Sequence, residues 1–103
     1  RCWLLGGMIM PYIKEEDRLK YQHDLMSLNA RLTVGDEIPE GELNFLISTL
    51  IADLLKHYGL NYANANKLMG VLECSKLELY RRLIAPYEDT KVNENGDVGY
   101  DEI

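Results

Sequence analysis

The chain has 103 residues, with 17 Asp and Glu against 11 Lys and Arg and a formal net charge of −6. That length suits one domain able to bury a core without metals or disulfides, yet small enough for oligomerisation to help. Net acidity argues against a general nucleic-acid binder, because sequence-independent affinity for phosphates needs clustered cations. Cys2 and Cys74 are the only thiols; they lack the dense, even pattern of a secreted disulfide scaffold, which points to a reducing, cytoplasmic setting.

The opening RCWLLGGMIM is shorter than the roughly 20 apolar residues that span a bilayer and has no A-x-A cleavage site, so neither a membrane span nor a signal peptide is expected. Met10-Pro11-Tyr12 reads as a natural start, which would make residues 1–9 an upstream extension. If part of the protein, Trp3, Leu4, Leu5, Met8 and Ile9 form an apolar arm that needs a groove or neighbouring chain to cover it.

Tyr21, Leu25, Leu28 and Leu32 recur at the spacing of one helical stripe and predict a helix over 15–33, with Glu15, Glu16 and Asp17 at its dipole-favoured start. Gly35, Asp36, Pro39 and Gly41 mark a loop. A second helix is predicted over 42–58. Leu43, Leu46, Ile47, Leu50, Ile51, Leu54 and Tyr58 give it a broad apolar face, and Gly59 sits where a glycine cap belongs, so this is the expected core helix. Asn61 can cap a third helix over 61–85, which ends at Ala85-Pro86 because proline cannot continue a helix and displaces the residue before it. Asn95-Gly96 between Val92 and Val98 signals a tight turn and a short hairpin. The expectation is an all-α single domain: an N-terminal arm (1–14), a small bundle of three main helices (15–86) and an acidic tail (87–103), hairpin or irregular, carrying six carboxylates over residues 83–103.

Ser75-Lys76-Leu77-Glu78 fits a capping box that would split the third helix near Cys74 and give a helix-turn-helix look. From Gly70 to Tyr80, however, the segment is about one helical turn too long for the three-to-four-residue link of that motif. The unbroken helix is preferred, with Glu73 and Lys76 as an i, i+3 ion pair.

Several runs carry a resemblance. Met10-Pro11-Tyr12-Ile13-Lys14, Glu16-Asp17-Arg18, Gly41-Glu42-Leu43-Asn44, Gly70-Val71-Leu72-Glu73-Cys74, Lys76-Leu77-Glu78, Tyr80-Arg81-Arg82, Ala85-Pro86-Tyr87-Glu88-Asp89 and Glu94-Asn95-Gly96-Asp97-Val98 resemble an uncharacterised family of small proteins of phages and prokaryotes. The resemblance covers about residues 10–98 and implies a short helical protein with no assigned activity, so no catalytic residues carry over. The first nine residues and Tyr100-Asp101-Glu102-Ile103 fall outside it.

The candidate recognition surface is Tyr80, Arg81, Arg82, Pro86, Tyr87, Glu88 and Asp89. Guanidinium offers a planar fork for phosphate or carboxylate and the ring a stacking face. The plainer account is that Glu78, three and four residues earlier, pairs with the arginines on the helix surface. Elsewhere the plain account prevails. His57 complements a helix C-terminus, and neither it nor His23 has a triad-like neighbour. Counting back from Gly96 puts Lys91 where a calcium loop needs its first carboxylate. The cysteines and histidines lack zinc-ligand spacing, and Cys74 reads as a packing residue. The functional expectation is a non-enzymatic, cofactor-free interaction protein, a homo-oligomer that binds a protein or small anionic ligand. The alternative is a nucleic-acid-binding regulator using residues 75–84 as a recognition helix.

Overall fold

The computed structural model describes residues 11–103. The apolar arm, Cys2 and the start at Met10 lie outside the described residues. The described chain is all-α, without strands, and divides into two compact units, Pro11–Met69 and Gly70–Ile103.

In the first unit, α1 spans Glu15–Leu32 and α2 spans Glu40–Tyr58. The three carboxylates expected at the start of α1 are there, and Arg18 Nε donates to Ile13 O at 2.6 Å to hold the entering chain. At the other end Thr33 donates to Asn29 O twice, through its N–H at 3.1 Å and its Oγ1 at 2.8 Å. Helix α2 begins two residues earlier than the apolar pattern predicts, on Pro39, whose fixed φ suits a helix entrance. It ends on Gly59 at φ 103°, whose N–H donates to Leu55 O at 2.8 Å. That cap is the one the sequence predicts.

Helix α3 runs Tyr62–Leu79 and passes from the first unit into the second. Asn61 caps it as predicted: its Oδ1 accepts from Asn64 N at 2.8 Å and its carbonyl accepts from Ala65 N at 2.9 Å. The side chain of Asn64 adds a contact the sequence reading missed, donating through Nδ2 to Tyr58 O at 3.2 Å and Gly59 O at 2.9 Å. One asparagine caps the new helix and another ties it to the carbonyls that end the old one.

No break occurs at Ser75, so the capping-box letters sit inside a helix and Glu73–Lys76 pair on its surface at 3.3 Å. The expected stop at Pro86 is not observed. Tyr80–Ile84 form a π-helical turn and α4 follows directly over Ala85–Asn95. In an α-turn the Pro86 ring would strike the carbonyl of Arg82, four residues back. The wider π-turn, in which Ala85 N–H reaches Tyr80 O, moves that carbonyl aside and lets the helix pass through the proline. Residues 87–95, expected as a tail, are therefore helical. The Asn95-Gly96 pair ends α4, with Gly96 at φ 87° donating to Val92 O at 2.8 Å, and makes no hairpin. A 3₁₀ turn over Tyr100–Glu102 closes the chain.

Cys74 is the one buried hydrophobic residue among those described, 3 % exposed. That burial fits the packing role expected of it. Helix α2, the expected core helix, has no buried residue, and neither has α1.

Candidate functional site

The seven candidate residues fall on one uninterrupted helical stretch, Tyr80–Arg82 in the π-turn and Pro86–Asp89 in the first turns of α4. The extra backbone residue of the π-turn resets the side-chain register of everything after it. Tyr80 and Glu88, eight apart in sequence, meet across it: Tyr80 Oη donates to Glu88 Oε1 at 2.5 Å. This hydrogen bond, then the negative charge of Glu88, then desolvation and Asp89, all raise the Tyr80 hydroxyl above its ordinary value of 10.0. A phenol that gives its proton to a carboxylate cannot easily lose it.

Arg81 turns the other way. Its Nη2 lies 2.6 Å and its Nε 2.7 Å from Glu78 Oε1, and the Glu78 side chain is only 12 % exposed against 66 % for the arginine. The surface pairing weighed in the sequence is thus what Arg81 does, a contact worth about 0.2–0.5 kcal/mol in an isolated helix. Arg82 has no ion pair among the described residues.

The acidic side is likewise partly engaged. Glu88 holds Tyr80, whereas Tyr87 lies under Lys91, whose Nζ is 5.5 Å from the ring centroid and 3.3 Å from Glu94 Oε2. Pro86 O accepts from Thr90 Oγ1 at 3.1 Å. Around these polar pairs Leu79, Leu83, Ile84 and Tyr87 stay 48–62 % exposed. Leu79, Leu83 and Ile84 belong to an apolar arc of about half the helix circumference at 100° per residue, too wide for three short helices to cover. The unbroken helix through Ser75 supplies no separate recognition helix over residues 75–84.

In the first unit Leu54, Leu55, Tyr58, Asn64, Lys67 and Leu68 line an open cleft of about 250 Å³. Ligand pockets run to roughly 300–1,000 Å³ and enclose most of their guest, so this is a gap between two helices. No three His, Cys, Asp or Glu side chains come together as a metal site among the described residues, and no described helix is long and apolar enough to cross a membrane.

No curated protein and no solved structure matches the chain. A family model described as a domain of unknown function, DUF6899, matches residues 10–98. That span takes in α1 to α4 and every candidate residue, and on it the chain belongs to the DUF6899 family.

Proposed function

We propose that the protein is a non-enzymatic interaction module that works as a homo-oligomer and offers the helical turn around Arg82 to an acidic protein segment or small anion. One observation carries the reading. Helix α2 has Leu43, Ile47, Leu50 and Leu54 between 40 and 62 % exposed and buries nothing. Full burial of each such side chain is worth about 1.5–3 kcal/mol, and a whole domain is stable by only about 5–15 kcal/mol. Leaving four of them half in water on one helix gives up a large share of that margin, and association recovers it.

The anion-binding half rests on a subtraction. Glu78 engages Arg81, Glu88 engages Tyr80, and Lys91 covers Tyr87, which leaves the Arg82 fork and the exposed rim of Leu83 and Ile84. A planar fork beside apolar surface suits a carboxylate or phosphate carried on a larger body. π-Turns recur at functional sites, and this one bears the arginine.

Sedimentation equilibrium of the full chain, beside native mass spectrometry of protein purified without denaturation, tests both halves. The reading expects an oligomer and a carried-through acidic ligand or partner that Arg82→Gln loses while the assembly persists. A monomer would remove the first half, and a ligand retained by Arg82→Gln the second.

A further inference from the structure

We infer that the partner of helix α2 is the same helix of a second copy, packed antiparallel about a two-fold axis near Ser48 and Thr49; this deepens the oligomeric reading above by naming the seam and its direction. Leu43, Ile47, Leu50 and Leu54 are spaced 4, 3 and 4 residues apart, the alternation of a coiled-coil seam. At 100° per residue the four fall within an arc of about 60°. All four are exposed, at 42, 40, 62 and 42 %. The order 4-3-4 reads the same from either end. In an antiparallel pair Leu43 therefore meets Leu54 of the second copy and Ile47 meets its Leu50, so every apolar layer is filled without a register shift. A two-fold contact has to be self-complementary in this way.

Charge sets the direction. The first turn of α2 carries Glu40 and Glu42, and its last turn carries Lys56 and His57. Parallel pairing would set Glu40 against Glu40 of the second copy and His57 against its His57. Antiparallel pairing brings Glu40, three residues before Leu43 on the same seam, to the level of His57 of the second copy and opposes the two helix dipoles. Glu42 and Lys56 lie off this seam, each more than about 100° from its centre, and Lys56 pairs with Asp53 of its own helix at 3.9 Å. Ser48 and Thr49 at the centre are short side chains, and Ser48 Oγ lies 3.0 Å from Asn44 Oδ1 on its own helix.

The test is the dissociation constant of the full chain by sedimentation, with helix content of every variant checked by circular dichroism. Leu50→Asp should weaken association by about a hundredfold or more, since it sets a charge in the central layer twice per dimer. Because that variant is also open to unfolding, a charge series that touches only exposed residues is run beside it. E40K and H57E should each weaken association about tenfold at low salt, and the combined E40K/H57E should restore it. Half-variants that associate as wild type, or a combined variant no better than either half, would overturn the antiparallel seam. A monomeric wild type would overturn the oligomeric reading along with it. An oligomeric wild type indifferent to Leu50→Asp and to the charge series would overturn the α2 seam alone and leave that reading standing.

Discussion

Different means order the two units. In Pro11–Met69 the order is local and lies in the backbone: Arg18 on Ile13, Thr33 on Asn29, Gly59 on Leu55, Asn61 and Asn64 around the corner between α2 and α3. No side chain in that unit is buried. In Gly70–Ile103 the order comes from side chains acting across turns, with Glu78–Arg81, Tyr80–Glu88 and Lys91 between Tyr87 and Glu94, and with a buried Cys74. Caps define where helices begin and end but do little to bury apolar surface. On the proposed reading, the unit ordered mainly by its caps is the one a second copy would complete, at α2.

The largest way to sharpen the contrast is to remove the proline. Pro86→Ala restores an N–H and removes the ring, so the π-turn can relax to α geometry and the chain gains up to about 3 kcal/mol, the usual penalty of an interior proline. The same relaxation turns α4 relative to Tyr80 and separates Tyr80 from Glu88. A melting temperature raised by several degrees together with a Tyr80 titration returned to its ordinary range is the expected result. A change in neither would mean that the π-turn has another cause.

Asn61→Ala attacks the cap-built unit and should lose about 1 kcal/mol, with the first turn of α3 becoming open to hydrogen exchange. The double variant R81Q/R82Q attacks the other unit. Gln keeps the helix and the apolar stem, so only the Glu78 contact, about 0.2–0.5 kcal/mol, should be lost from stability. Binding of an acidic partner should fall with it. Unchanged binding beside a proteolytically loosened segment over residues 86–95 would assign both arginines a structural role.

The smallest effect is alkaline. The Tyr80 hydroxyl has its value raised by Glu88, so the bond's contribution is fully present below about pH 10 and is lost as pH climbs through the raised value. Tyr80→Phe should therefore lower stability slightly at neutral pH and flatten the fall at the alkaline end, as pH-scanned melts would register.

This division also explains what could be read ahead. The helix limits at Glu15, Gly59 and Asn61 follow from residues within one turn of the cap, and the apolar spacing of α2 stands in the sequence. Pro86 misleads because its rule assumes α geometry; whether a π-turn absorbs the ring depends on the helix that continues beyond it. Asn95-Gly96 misleads for a related reason, since glycine at positive φ serves a helix cap as well as a hairpin and only the preceding helix decides between them. At the candidate site the Glu78–Arg81 pair was legible from i, i+3 spacing. Tyr80 with Glu88 was not, because eight residues is no helical repeat until the extra residue of the π-turn is counted.

The central claim is that α2 leaves its apolar seam open because another copy closes it. Sedimentation equilibrium of the unmodified full chain over a wide concentration range, at neutral pH, tests this most directly. The account predicts a reversible dimer or an assembly built from dimers, with helix content falling as it dissociates. A monomer that keeps its full helix content at the lowest concentrations would contradict it.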